Sequence, residues 1–167
     1  MIDFLSHYYR AGTQEEQAMN LAIKSGAAVA PGLVRELFVR NQWCDWMKEE
    51  DIAWYLAHSH CVVTAWDGAS LIGIAVLVGD GRKYLELENL LVDEARRHRG
   101  IGKALMAEVM RAIAEAKPYA AKIEVFEEAT EAFYREFGFV RNHGTWLLEL
   151  APGSDALRVL TRTPRKP

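Results

Sequence analysis

The chain has 167 residues, 50% of them hydrophobic, with 20 Lys and Arg against 23 Asp and Glu and a formal charge of −3. A chain of this length can bury a core that needs no disulfide or metal staple, so one domain over residues 1–167 is expected. The near balance of charge excludes a uniformly basic surface that coats nucleic acid.

Thr13-Gln14-Glu15-Glu16 is a capping-box pattern and predicts a first helix from Gln14 to about Ser25. Ser25-Gly26 and Pro31-Gly32 punctuate the next stretch, and Leu33, Val34, Leu37 and Phe38 then predict a second, short helix. Lys48 to Ser59 predicts a third, with Ile52, Tyr55 and Leu56 three and four positions apart. The period then becomes extended. Cys61–Trp66 and Ser70–Val78 flank Asp67-Gly68, a strong hairpin signal, and after Gly79-Asp80-Gly81 the segment Tyr84–Val92 is a third strand.

Ile101 to Lys117 predicts a long helix with Ile101, Leu105, Val109 and Ile113 on one stripe, ended by Pro118. Lys122–Phe126 reads as a strand, which makes strand, helix and strand a right-handed βαβ crossover. A helix over Glu131–Phe137, stopped by Gly138, precedes a closing hairpin of Phe139–Arg141, a turn at Asn142-His143-Gly144, and Thr145–Leu150. The fold class is α+β (α/β three-layer): a mixed, mostly antiparallel twisted sheet with a central βαβ crossover, flanked by helices. The tail from Ala156 to Pro167 carries Arg158, Arg162, Arg165 and Lys166 without an acid and reads as a solvated basic end.

Cys44 and Cys61 are too few for a disulfide framework, lack zinc-site spacing, and read as buried free thiols. His58 and His60 have no third ligand nearby and read as a helix-end pair; His98 and His143 fall in turns, and no metal is expected. The N-terminus lacks a signal-peptide pattern, and no apolar run approaches the roughly 20 residues that span a bilayer. A cytoplasmic protein without a membrane partner is expected.

The stretch from Asn89 to Met106 carries the chemistry. A strand ends, a turn with Arg96, Arg97 and Arg99 comes next, and Gly100 and Gly102 open a helix. A helix N-terminus leaves unpaired amides and a partial positive charge, and glycines let a phosphate approach them closely. The pattern is a phosphate or pyrophosphate cradle. A dinucleotide fingerprint would need a glycine where Leu105 stands, and a P-loop a glycine at Arg97 and a Ser or Thr at Ala104.

Arg97-His98-Arg99-Gly100-Ile101-Gly102 resembles the Arg/Gln-x-x-Gly-x-Gly/Ala motif of the GNAT superfamily of acetyl-CoA-dependent N-acetyltransferases. A second hallmark of that family stands at Phe133-Tyr134-Arg135-Glu136-Phe137-Gly138-Phe139, and the element order is similar over nearly the whole chain. The resemblance implies a GNAT-like fold and acetyl transfer from acetyl-CoA, a co-substrate, to a primary amine of a small molecule or peptide. By the same resemblance the backbone of Leu90, Leu91 and Val92, where the fourth strand bulges and splays from the fifth, bonds the pantetheine arm. Amides of Arg97, His98, Arg99, Gly100, Ile101 and Gly102, with Lys103 behind them, hold the pyrophosphate, and Tyr134 protonates the departing thiolate. Where many members carry an Asn seven residues before that tyrosine, this chain has Glu127. Pairing of final strands into a homodimer is common in such folds.

Amine acylation also needs a path for the amine's proton. Glu86 and Glu88 lie two apart on one strand and so share a face; Glu88, nearer the bulge, is the preferred base. Trp43, Trp46 and Trp54 are interleaved with Asp45, Glu49, Glu50 and Asp51 where such proteins cover the acceptor, which suggests a cationic amine. Core packing is the alternative for the tryptophans. Two other functions use the same residues: a non-catalytic acyl-CoA-binding or sensing module, and a nucleic-acid-binding domain on Arg96–Arg99 and the tail, which the acidic total disfavours.

Overall fold

The computed structural model describes residues 20–26, 28–125, 128–141 and 147–150. The strands are β1 (Leu21–Ser25), β2 (Cys61–Asp67), β3 (Ser70–Gly79), β4 (Tyr84–Val92), β5 (Ala120–Glu124), β6 (Val140–Arg141) and β7 (Leu147–Leu150). The helices are α1 (Pro31–Arg40), α2 (Glu49–His58), α3 (Ile101–Ala116) and α4 (Glu128–Arg135). The strands form one sheet in the order β1-β2-β3-β4-β5-β7-β6. Each pair is antiparallel except β4 with β5, which are parallel and joined through α3. This is the mixed sheet and central crossover expected.

Two apolar layers cover the sheet. Under α3 lie Ile101, Leu105, Met106, Val109 and Ile113 with Leu85, Leu87, Ile123 and Phe139. On the other face, Val34, Leu37 and Phe38 of α1 and Ile52 of α2 meet Leu71, Ile74, Val76 and Leu91. Full burial of one such side chain stabilises by about 1.5–3 kcal/mol, so the α3 stripe holds firmly the helix whose N-terminus opens the site. Glu49, Glu50 and Asp51 occupy the first turn of α2, where carboxylates suit the helix dipole. At the end of α3, Lys117 takes a left-handed φ of 53° before Pro118.

The structure corrects the reading at five places. Leu21–Ser25 is a strand, paired with β2 from Leu21 opposite Asp67 to Ser25 opposite Val63, and does not continue a helix. The hairpin turn is Gly68-Ala69, with Asp67 and Ser70 paired as the last rung. β5 begins at Ala120, two residues early, and α4 runs from Glu128 to Arg135, ahead of the predicted range. Cys44 and Cys61 are free and half-buried. The predicted helix start at 14–19, the turn at Asn142-His143-Gly144, the predicted strand start at Thr145 and Trp146, Glu127 and the basic tail lie outside the described residues.

One irregularity in β4 shapes the site. Val76 of β3 stands opposite Asn89 and Leu77 opposite Leu87, so Glu88 is an extra residue, a β-bulge. It inverts the alternation: Leu85 and Leu87 pack under α3, but beyond the bulge Leu90 and Val92 do so, while Leu91 turns to the α1–α2 layer. The bulge therefore lies at Glu88, two residues before the segment the resemblance assigned it to.

Candidate active site

β4 and β5 pair only at Tyr84–Ala120, Leu85–Ala121 and Glu86–Lys122. Beyond Glu86 the strands part, and a cleft of about 750 Å³ opens between them. Leu87, Glu88 and Leu90 to Val92 of β4, Ile123 to Val125, the start of α3, Phe133 and Tyr134 of α4, and Asn41 and Trp43 of the α1–α2 loop contribute to its walls. The β5-facing edge of β4 has no ladder partner there, so its backbone groups are open to an extended ligand, as at any sheet edge.

The cradle forms at the mouth of α3. His98 and Gly100 adopt left-handed φ values of 63° and 79°, which turn the chain sharply into the helix. Among the described residues no acceptor meets the amides of His98, Gly100, Ile101 and Gly102, the donors that a helix start leaves over. Gly102 has no such backbone demand, and a Cβ there would meet Phe133 at an ordinary 3.7 Å. Nothing in the packing calls for glycine at Gly102, which leaves the amide surface bare toward the cleft. The Arg97 Nε donates to the Val92 carbonyl at 3.3 Å, and no carboxylate meets Arg97 among the described residues. Arg96 is bound to Asp67 at 3.1 Å and Lys103 to Glu136 at 2.6 Å. Bare amides, a helix N-terminus and an uncompensated guanidinium fit the pyrophosphate of coenzyme A. Ile101 and Leu91 face the cleft wall with their side chains in the core, and Arg99 lies on the exposed turn outside the lining.

Tyr134 lines the cleft, edge-on to Phe133 at 5.1 Å between centroids, and burial pushes its hydroxyl up to about 12. It is a protonated donor at neutral pH. Glu88 also lines the cleft; partial burial, then the nearby charges of Glu86 and Glu124, hold its carboxyl above the usual range against the pull of Lys122. Glu86 is not brought to the cleft, because Lys122 binds it at 2.7 Å. The two candidate bases are thus separated by environment: one is held in an ion pair, the other opens into the cleft.

The three tryptophans do not converge. Trp43 enters the wall of the cleft, Trp54 stacks on His58 at 4.1 Å, and Trp46 is 76% exposed. His60 packs against Gly81 of the β3–β4 turn, apart from His58, whose Nδ1 meets the Trp54 carbonyl at 2.7 Å. Sequence reading placed Asn89 and Phe133 inside its two motifs without giving either a role in the site, and passed over Glu124. Asn89 carried a usable signal, a carboxamide at an otherwise apolar buried position of a strand; Glu124 carried none.

The family model for an acetyltransferase (GNAT) domain matches residues 57–141. The chain belongs to the GNAT acetyltransferase family. The match takes in Glu88, the cradle and Tyr134 and leaves α1 and Trp43 outside. A GNAT family acetyltransferase from Streptococcus pneumoniae TIGR4 is similar at 29% identity and a TM-score of 0.62, over 72% of this chain and 87% of that one. A GNAT family N-acetyltransferase from Escherichia coli, solved in complex with CoA, shares the fold at 18% identity and TM-score 0.62, over 87% and 88% of the two chains. One from Elizabethkingia anophelis with acetyl-CoA bound shares it at 18% identity and TM-score 0.57, over 79% and 98%. No curated protein matches the chain. None of the described helices of this GNAT protein is long and apolar enough to cross a membrane.

Proposed function

We propose that this GNAT protein transfers the acetyl group of acetyl-CoA to the primary amine of a small molecule or peptide, and that the acceptor is cationic. The observation that carries the reading is the pairing, in one cleft, of a bare-amide cradle at α3 with a protonated Tyr134 and a Glu88 whose carboxyl is held above the usual carboxylate range. Acetyl-CoA supplies the activated acetyl thioester. The amides of His98, Gly100, Ile101 and Gly102 and the Arg97 guanidinium hold its pyrophosphate, while the Arg97 amide, bonded to the Glu94 carbonyl at 3.2 Å, is taken, and the open edge of β4 from Leu90 to Val92 aligns the arm. Glu88 takes the proton of the incoming ammonium, directly or through water, and Tyr134 stands ready to protonate sulfur. Glu86 acts through its charge on Glu88. For the acceptor, Trp43 offers an indole face and Glu88 and Glu124 offer negative charge at the end of the cleft away from the cradle.

Thiol release from acetyl-CoA, assayed with spermidine, tyramine, glucosamine, kanamycin and an alanyl peptide, tests this. Turnover with one or more of these amines, lowered about 10²-fold or more in Tyr134→Phe, is expected. Calorimetric binding of CoA without thiol release from any amine would overturn the enzyme and leave an acyl-CoA-binding module.

A further inference from the structure

We propose that Asn89 is a positioning residue for the acceptor: it locks the Trp43 indole into the cleft wall and fixes the direction of the Tyr55 hydroxyl. The inference rests on the acetyltransferase reading of the cleft and concerns its acceptor end. Asn89 is 7% exposed and makes two short bonds from its side chain. Its Oδ1 accepts from the Trp43 Nε1 at 2.7 Å, and its Nδ2 donates to the Tyr55 hydroxyl at 2.7 Å.

Only one orientation of the carboxamide works. An indole N–H can donate and never accept, so the amide oxygen must face Trp43; the flipped amide would set two donors against each other. The amide nitrogen then faces Tyr55, whose oxygen must accept. The hydroxyl's own proton is therefore turned away from Asn89. One buried side chain thus orders two aromatic residues, one from the α1–α2 loop and one from α2.

The loop itself needs holding. Gln42 and Cys44, on either side of Trp43, have φ values of 51° and 45°, left-handed conformations that non-glycine residues adopt at a cost. The Trp43 amide returns to the Phe38 carbonyl at 2.9 Å, and the side chain is then carried across to β4. Asn89 meets it there because of the bulge. The extra residue at Glu88 turns the next position from the α3 layer to the α1–α2 layer. The same irregularity opens the proposed base to the cleft and delivers the pin for the acceptor wall.

The variants Asn89→Leu, which keeps volume and removes both bonds, Trp43→Phe, which removes the N–H together with the rest of the indole's five-membered ring, and Asn89→Asp, to which Trp43 and a reversed Tyr55 hydroxyl can both donate, test the proposal. With spermidine as acceptor, Asn89→Leu raises the spermidine KM about tenfold while the acetyl-CoA KM stays at its wild-type value. Trp43→Phe raises it too, the double variant no more than the larger single effect, and Asn89→Asp restores most of the loss. Hydrogen–deuterium exchange without substrates shows residues 41–48 exchanging faster in Asn89→Leu and Trp43→Phe and near wild-type rates in Asn89→Asp. Equal rises in both KM values, additive single effects, or unchanged exchange over 41–48 would overturn the pin. Where spermidine is not turned over, the KM comparison uses whichever of the five amines is; if none releases thiol, the acetyltransferase reading fails, and the exchange comparison alone decides the role of Asn89. Should Asn89→Leu not fold, Trp43→Phe and Asn89→Asp carry the same comparison.

Discussion

Glu88 and Gly102 divide the site into a proposed base that its environment tunes and a glycine that its environment does not explain. A base must be ionised, so kcat/KM is expected to rise with pH through the Glu88 titration, which burial and the Glu86 and Glu124 charges hold above the ordinary carboxylate range. Glu88→Gln lowers kcat by about 10²–10⁴ and removes that limb, whereas Glu86→Gln, which loses the Lys122 pair, keeps the limb. The sign for stability is opposite. The folded protein binds the Glu88 proton more tightly than the unfolded chain, so stability falls as pH rises from the unfolded value through the folded one, and Glu88→Gln abolishes that fall in a melting series. For Gly102 the size of the replacement decides the outcome. Alanine there meets nothing closer than 3.7 Å and gains up to about 1 kcal/mol of helix propensity, so Gly102→Ala melts at the same or a higher temperature and, since the motif accepts alanine at this position, keeps its CoA affinity. In Gly102→Leu a branched side chain stands over the bare amides, and CoA affinity falls about tenfold or more, about 1.4 kcal/mol, by calorimetry. Equal CoA affinity in Gly102→Leu would show that the pyrophosphate sits elsewhere.

Elements with local signals were legible; those decided by distant pairing were not. Pro31 ahead of Leu33, Val34, Leu37 and Phe38, and the stripe from Ile101 to Ile113, each contain their own start, face and end, and the cradle is six contiguous residues. Leu21–Ser25 has no such autonomy. Its five residues became a strand because β2, some forty positions on, offers a ladder. The bulge was hidden for a subtler reason: Leu85, Leu87, Asn89 and Leu91 are all buried, so the alternation looks unbroken although the first two and last two face opposite layers. The Trp43–Asn89–Tyr55 chain joins residues 46 and 34 positions apart and leaves no pattern in sequence. Glu131 is a further long-range clasp. It binds Arg135 on its own helix at 2.6 Å and Arg141 of β6, and these bonds hold its carboxyl below the usual range. Stability from such a group is present above the unfolded titration point and is lost as pH falls through the folded one. Glu131→Gln is therefore expected to melt below wild type at neutral pH, with the gap closing as pH falls through the carboxylate range; a constant gap would exclude the charge as its source.

At the scale of the molecule, a charge of −3 coexists with a cleft that is positive at the cradle and negative at Glu88 and Glu124. The surplus of acid does not repel a small anionic ligand, because screening at 0.15 M salt confines fields to about 8 Å and the cradle's donors sit inside that range. It does oppose a polyanion, which must meet the rest of the surface as well. Affinity for CoA should then depend on which basic residues remain uncompensated. Arg96 is engaged by Asp67 and Lys103 by Glu136, while among the described residues Arg97 reaches the Val92 carbonyl and no carboxylate. A charge-assisted hydrogen bond contributes about 1.5–3 kcal/mol, so Arg97→Gln should raise the CoA Kd about tenfold or more. The same variant flattens the rise of Kd with added salt. Arg96→Gln should do less on both counts, since its guanidinium is already engaged by Asp67 at 3.1 Å and offers a phosphate less. A single-stranded oligonucleotide, added at low salt, should leave CoA binding unchanged. Equal losses in Arg96→Gln and Arg97→Gln would show that net charge at the turn, and not the free guanidinium, sets the affinity; displacement of CoA by the oligonucleotide would make the turn a nucleic-acid site after all.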